Sequence, residues 1–207
     1  MKILYLETSS RNCSVAISED DKLLCLCEET SENYKQSESL HTFVEWALEG
    51  AEISLKEIEA VALGKGPGSY TGLRIGASTA KGFCFGLGVP LVTINSMETM
   101  VEPFLGQGYD YIIPLVDARR MEVYTAVYNG TTGEEIEETT NLILDENSFC
   151  NYAEKHVLFV GDGCTKAQEL LSIKADYDAK VFPSAQYLIR KSLEKIKNNE
   201  TENVAYF

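Results

Sequence analysis

The order of apolar and polar residues predicts an alternation of strands and helices along the chain. Short apolar runs at 2–6, 14–18 and 22–27 are separated by polar turns, which is typical of a three-stranded meander. A polar loop rich in Ser, Glu and Asn follows, and apolar residues then recur with a helical period over 37–51. The first quarter of the chain therefore predicts three strands and one amphipathic helix.

The following segments alternate between strand and helix. The apolar run at 58–63 predicts a buried strand, a glycine-rich turn comes next, residues 73–87 have helical periodicity, and 91–94 predicts another strand. Three meander strands followed by such units favour a mixed sheet with helices on its faces.

The composition shifts near Ser96, where a short helix is expected to lead into a second lobe. We predict a first lobe at 1–98 and a smaller second lobe at 99–183, and the pattern leaves open whether 184–207 return to the first lobe. Strands are expected near 111–116, 122–128, 136–144 and 157–160, and helices near 165–171 and 184–197.

The glycine-rich turn at 64–76 reads GKGPGSYTGLRIG. Glycines permit positive φ and close backbone approach, Pro67 stiffens the turn, and Ser69 or Thr71 is suited to cap the helix that follows. The glycine spacing matches neither a Walker loop nor a dinucleotide-binding fingerprint. Two interpretations stay open, in which the turn holds an anion or packs tightly against the rest of the chain.

The helix predicted at 73–87 has several distinct rows of residues along its length. An apolar stripe is expected to lie on the sheet, while four glycines should each cost roughly 1 kcal/mol relative to alanine. Close approach to another element would offset that cost, either inside this chain or against the helix of a partner. The apolar stripe consists of Leu73, Ala77, Ala80, Cys84 and Leu87, the glycines are Gly72, Gly76, Gly82 and Gly86, and a further stripe holds Arg74, Ser78, Lys81 and Phe85.

Acidic residues dominate the composition. The 207-residue chain has 18 Lys and Arg against 32 Asp and Glu, a net charge of −14, and no basic cluster. RNA binding requires phosphates to be neutralised, so this chain is not expected to be the main contact for a nucleic acid. The acidic run at 134–138 is expected to be a solvated loop or strand edge.

The cysteines and the apolar segments indicate where in the cell the protein is expected. Most of the six cysteines lie within apolar runs, as small buried residues do, and no Cys-x-x-Cys occurs. With no signal peptide and no long apolar segment, we expect a cytoplasmic protein without a membrane contact.

Three ordered motifs resemble one known family. The stretch GPGSYTGLRIG at 66–76 closely resembles the signature of the TsaB (YeaZ) family. MKILYLETSS at 1–10, followed by CSVAI at 13–17, is similar to the opening hairpin of that family, and DARRMEVY at 117–124 to a strand pair of its second lobe. The chain departs from the family at Glu7, where the family usually has Asp.

The resemblance implies an α/β actin-like ATPase (ribonuclease H-like) fold, with two lobes of mixed sheet flanked by helices. It implies a non-catalytic scaffold subunit for tRNA threonylcarbamoyladenosine modification of the adenosine next to the anticodon. The implied partners are the catalytic paralogue TsaD and the small P-loop ATPase TsaE, with homodimers when the chain is alone and only indirect contact with tRNA. In actin-like ATPases the acid at the place of Glu7 lies by the phosphate and metal site, so the longer side chain argues against nucleotide binding.

The sequence offers little catalytic machinery. His41 and Glu45 share a helix face, but a metal site needs three or four ligands, and the second histidine, His156, lies far along the chain. Ser69, His41 and Asp117 form only a nominal triad, and Asp117 is expected to cap a turn or pair with an arginine. We therefore predict no catalytic residue, cofactor or metal. The rival hypotheses are a small ATP-binding phosphotransferase or ATPase of the actin-like fold and a glycoprotease-like metallopeptidase.

The helices at 37–51 and 73–87 are instead predicted to pack against their counterparts in the paralogue. Such an interface would bury on the order of 1,200–2,000 Å². Its candidate residues are His41, Glu45, Tyr70, Thr71, Gly72, Arg74, Gly76, Ser78 and Lys81.

Overall fold

The computed structural model describes residues 1–31 and 36–207, with the backbone alone for 36–38. Part of the polar loop expected before the first helix, residues 32–35, lies outside this description. The described chain divides into two compact units. Unit 1 comprises Met1–Ser96 and Pro183–Phe207, and unit 2 comprises Met97–Phe182.

Unit 1 contains a five-stranded mixed sheet of order β3-β2-β1-β4-β5, in which β1, β2 and β3 are antiparallel and β4 and β5 run parallel to β1. Its helices are α1, α2 and α5. The strands are β1 (Lys2–Glu7), β2 (Asn12–Glu19), β3 (Lys22–Thr30), β4 (Ala60–Gly64) and β5 (Leu91–Ile94), and the helices are α1 (Gln36–Gly50), α2 (Tyr70–Leu87) and α5 (Ile189–Lys197).

The side-chain period of two explains how the sheet is covered. One face of β1 presents Leu4 and Leu6 to a core that also contains Leu40, Val44 and Ala80 from α1 and α2. The opposite face presents Ile3 and Tyr5 to a second core with Ala185, Leu188 and Ile189. The sheet of unit 1 therefore has helices on both faces.

Unit 2 has a second mixed sheet, of order β10-β9-β6-β7-β8. Strands β6, β7 and β8 are antiparallel, and β9 and β10 run parallel to β6. Its elements are α3 (Ser96–Val101), β6 (Tyr111–Asp117), β7 (Glu122–Asn129), β8 (Glu135–Ile143), β9 (Val157–Val160), α4 (Cys164–Leu170) and β10 (Asp176–Asp178). Two mixed sheets flanked by helices confirm the predicted α/β actin-like ATPase fold.

Most predicted elements are confirmed within a few residues, and three differences have physical causes. Helix α2 begins at Tyr70 rather than residue 73, because the Ser69 hydroxyl accepts a hydrogen bond from the Gly72 N–H and caps the helix. The helix predicted at 184–197 begins as a 3₁₀ turn at Ala185–Leu188. Strand β10 was missed because three residues carry no readable period, and its pairing with β9 defines it.

The fold also tests the expectations for the acidic run at 134–138 and for membrane-spanning segments. Strand β8 is an edge strand and is exposed along most of its length, so the acidic run at 134–138 does lie on a solvated strand edge. Among the described residues, no helix combines the length and apolar character that crossing a membrane requires.

Candidate partner interface and the turn that positions it

The turn between β4 and α2 packs tightly against the end of β1. A Cβ atom on Gly72 would lie 2.1 Å from the Thr8 carbonyl oxygen, and one on Gly76 would lie 2.3 Å from Thr8 Oγ1. Such distances exclude any side chain, so these glycines serve a close approach within this chain. Gly72 and Gly76 were predicted to lie at the partner interface, but the structure places both on the buried side of α2.

Three N–H groups of the turn donate hydrogen bonds inside unit 1. The Lys65 N–H donates to the Ile94 carbonyl oxygen (2.8 Å), the Gly66 N–H to Ser96 Oγ (3.0 Å) and the Ser69 N–H to the Ser9 carbonyl oxygen (2.6 Å). The tight-packing interpretation of the turn is therefore the one that its geometry supports.

Glu7 connects β1 to this turn. Its carboxylate is fully buried, accepts hydrogen bonds from the Ser9 N–H and Ser96 Oγ (both 2.7 Å), and occupies the space where a Cβ of Gly64 would lie. Burial raises the pKa of Glu7 above its ordinary value, and the hydrogen bonds from Ser9 and Ser96 oppose that rise. The longer acid is thus part of the packing that fixes the start of α2.

The buried state of Glu7 predicts a pH-dependent cost in stability. The folded state holds the carboxyl proton of Glu7 more tightly than the unfolded chain does. The contribution of Glu7 to the free energy of unfolding is therefore most favourable below its ordinary pKa of 4.5. Its contribution falls as the pH rises toward the raised folded-state pKa. Relative to Glu7→Gln, which keeps the shape without the charge, the unmodified chain should lose stability over that interval and then level off. Urea unfolding of both proteins between pH 4 and pH 8 measures the difference in their free energies of unfolding. An unmodified chain that gains stability relative to Glu7→Gln as the pH rises would contradict this account.

The stripe of α2 that lies on the sheet differs from the predicted one. Leu73, Ala77 and Leu87 are only half-buried, whereas Ala80 and Cys84 are buried with the first two glycines. The close approach to Thr8 brings the glycine-bearing side of the helix to the sheet. Gly82 and Gly86 differ, because they are exposed and a Cβ on either would meet nothing within 4 Å.

The outward side chains of α1 and α2 form an exposed surface, which we call the docking face. The two helices are neighbours, since the rings of His41 and Phe83 approach edge to face at 6.3 Å. Lys81 is half-buried, and its Nζ donates to the Phe207 carbonyl oxygen at 2.9 Å. The docking face consists of His41 and Glu45 of α1 and Tyr70, Thr71, Arg74 and Ser78 of α2, all exposed.

A shallow hollow of 410 Å³ lies beside α2 within this surface. Tyr70 is 73% exposed, and the guanidinium carbon of Arg74 lies 5.4 Å from the centre of its ring. This cation–π contact holds the Arg74 side chain along the helix. The hollow is lined by Tyr70, Thr71, Arg74, Ile75, Ser78 and Thr79.

The sequence did not point to every exposed aromatic residue on these helices. Trp46 is 56% exposed and stacks on Phe43 at 5.7 Å, and Phe85 is 89% exposed. Trp46 does not fit the helical period of apolar residues predicted over 37–51, and this was the one signal in the sequence of its exposure. Phe85 belongs to the further stripe of α2 that also holds Arg74, Ser78 and Lys81.

The residues considered for catalysis have structural roles in the fold. Ser69 caps α2, and Asp117 accepts hydrogen bonds from the Arg119 N–H (2.6 Å) and Lys166 Nζ (2.8 Å). Asp117 therefore caps a turn, as expected, but its ionic partner is a lysine rather than an arginine. In the part of the chain that the structure describes, no group of three His, Cys, Asp or Glu residues is placed to hold a metal ion.

Comparisons with known proteins agree with this fold and its motifs. The model of the TsaD family, described as tRNA N6-adenosine threonylcarbamoyltransferase, matches residues 28–201. The chain therefore belongs to this family. It is similar over most of its length to curated relatives named TsaB, the proteins that its motifs resemble.

Two relatives have the name tRNA threonylcarbamoyladenosine biosynthesis protein TsaB. The Bacillus subtilis protein is 28% identical over 177 residues, which cover 83% of this chain and 75% of the relative. The Escherichia coli protein is 34% identical over 129 residues, which cover 62% of this chain and 55% of the relative.

Solved structures from Pseudomonas aeruginosa have the same fold. A protein described as uncharacterized with similarity to peptidase YEAZ has a TM-score of 0.85 at 24% identity, covering 100% of this chain and 96% of its own. The YeaZ structure has a TM-score of 0.83 at 24% identity, covering 99% and 97%. At this identity the likeness concerns the fold alone.

Proposed function

We propose that this chain acts in tRNA threonylcarbamoyladenosine biosynthesis as a non-catalytic subunit that docks onto the catalytic paralogue TsaD. The modification would fall on the adenosine next to the anticodon. Membership of the family supports the process, and the docking face is the observation that supports the role.

The chemistry of the docking face suits a protein partner. An exposed tyrosine and arginine lie side by side over a preformed hollow, and Tyr and Arg are enriched among the residues that dominate binding energy. The buried packing of Gly72 against Thr8 fixes α2 on the sheet, so little conformational freedom would be lost on docking. An interface on two helices would bury on the order of 1,200–2,000 Å².

The non-catalytic role is supported by what the candidate reactive groups already do. Ser69 Oγ accepts from a helix N–H, Glu7 holds the glycine turn, and Asp117 binds Lys166. Each of these groups is engaged in a contact that the fold uses.

The remaining partners follow from the same proposal. TsaE would join the assembly of this chain with TsaD, and two copies of this chain would pair through the docking face when TsaD is absent. The net charge of −14 disfavours direct capture of tRNA, so contact with tRNA would depend on the assembly, in the cytoplasm.

Mixing this chain with TsaD from the same organism tests the proposal. Light scattering coupled to size exclusion should show one species with the summed mass at micromolar concentration, and threonylcarbamoyl transfer to tRNA should require both proteins. Two separate peaks, or transfer by this chain alone, would contradict it.

A further inference from the structure

The hairpin between β6 and β7 has two adjacent arginines at its tip in an unfavourable backbone conformation. Arg119 has φ of 72° and Arg120 has φ of 48°, and both are exposed. Left-handed backbone costs an L-residue with a bulky side chain about 1–2 kcal/mol, whereas Asn and Gly adopt it readily. The chain therefore has two long cationic side chains where the backbone alone would favour Asn-Gly.

Hydrogen bonds from Lys166 fix the backbone of this hairpin tip. Lys166 Nζ donates to Asp117 Oδ1 (2.8 Å), to the Arg120 carbonyl oxygen (3.0 Å) and to the Glu122 carbonyl oxygen (2.6 Å), and its side chain is only 16% exposed. The Asp117 N–H in turn donates to Asp162 Oδ1 at 2.8 Å. These contacts fix the backbone of the tip and leave its two guanidinium groups to project from it.

The carboxylates around the tip are already engaged. Asp117 is bound by Lys166 and the Arg119 N–H, Asp162 by the Asp117 N–H, and Glu122 by Asn141 Nδ2 at 2.8 Å. Among the described residues, no carboxylate lies within ion-pair distance of either guanidinium. Acidic residues outnumber Lys and Arg more than twofold in unit 2, so this pair of uncompensated cations stands out against its surroundings.

We infer that Arg119 and Arg120 bind the phosphodiester backbone of tRNA within the assembly, an inference that rests on the proposed function. A guanidinium group pairs with two phosphate oxygens at once, which suits adjacent phosphates better than a lysine does. The Arg119 N–H is already bound by Asp117, so the side chains rather than the backbone contact the anion.

The acidic surroundings determine how the site works. Their field repels RNA at long range but is screened beyond about 8 Å at physiological salt. The two arginines therefore act after TsaD has brought the tRNA close, and they fix its position rather than capture it. The isolated chain should accordingly bind tRNA poorly.

The variant Arg119→Asn/Arg120→Gly separates a binding role from a structural one. Removing the strained backbone should raise the urea midpoint of the chain, whereas losing two phosphate contacts should weaken binding of an unmodified tRNA transcript to the complex with TsaD by about tenfold or more. The slope of log affinity against log salt should become shallower by about one to two. The matched control is Lys155→Asn/Lys174→Asn, which removes the same charge from exposed positions of unit 2 and should change the affinity much less.

The outcomes are distinguishable. Assembly of the unmodified chain with TsaD is measured first. Failure of the unmodified chain to assemble with TsaD or to support modification would count against the proposed function itself. An assembled variant with unchanged tRNA affinity and salt slope, or an effect equal to that of the lysine control, would overturn the inference about the arginines alone. A variant complex that no longer binds Mg-ATP but still binds tRNA normally would also overturn the inference, because the two arginines would then bind the phosphates of a nucleotide.

Discussion

Replacing Gly72 with alanine is expected to lower the free energy of unfolding by about 2–3 kcal/mol. The new methyl group would lie 2.1 Å from the Thr8 carbonyl oxygen, which belongs to the backbone where β1 ends. Thr8 is fully buried and directly follows β1, so its backbone cannot move aside without disturbing the end of that strand. Helix α2 would have to lift from the sheet, and this cost exceeds the roughly 1 kcal/mol that alanine gains in a helix.

Gly82→Ala is the matched control, because it makes the same change in the same helix. Its methyl group would meet nothing within 4 Å, so it should stabilise the chain by up to about 1 kcal/mol. Urea midpoints at constant slope measure both effects. Equal shifts in the two variants would contradict the close approach of α2 to Thr8.

Arg74→Glu is expected to weaken binding to TsaD by roughly a hundredfold or more, if the docking face is the interface. Arg74 is exposed, lines the hollow and stacks on the Tyr70 ring, so the change removes a cation–π contact and places a carboxylate where a cation was. The fold should tolerate the substitution, because an exposed side chain contributes little to stability.

Lys56→Glu controls for the change in overall charge. Lys56 is exposed on the 3₁₀ turn at Leu55–Glu57, outside the docking face, and its reversal changes the net charge by the same amount. Titration calorimetry with TsaD should give nearly normal affinity for this variant. Equal losses in both variants would indicate long-range repulsion rather than a local contact, and no loss in either would place the interface elsewhere.

The sequence was a good guide to the elements and to the outward side of the two helices. Apolar periodicity located β5 and β9 to the residue, and it placed Arg74 and Ser78 outside the apolar stripe of α2. It was a poor guide to the side of α2 that lies on the sheet, because glycine has no side chain and therefore does not contribute to an apolar stripe. The buried position of Gly72 and Gly76 depends on Thr8, more than sixty residues earlier in the chain.

Glu7 illustrates the same limit for a single side chain. Its place in the motif at the end of β1 indicated a departure from the family, but not what the longer acid does. Only the fold brings Ser96 and Gly64 to its carboxylate, and those contacts give it a structural role at the glycine turn.

The sequence by itself determined the class of fold, the family motifs, the strongly acidic charge and the positions of most strands and helices, because local periodicity and turn chemistry encode these properties. The tertiary structure decided which glycines are buried, which side of α2 lies on the sheet and how the engagement of Asp117 by Lys166 leaves Arg119 and Arg120 uncompensated. These features depend on contacts between residues that are distant in the chain, and no local pattern records such contacts.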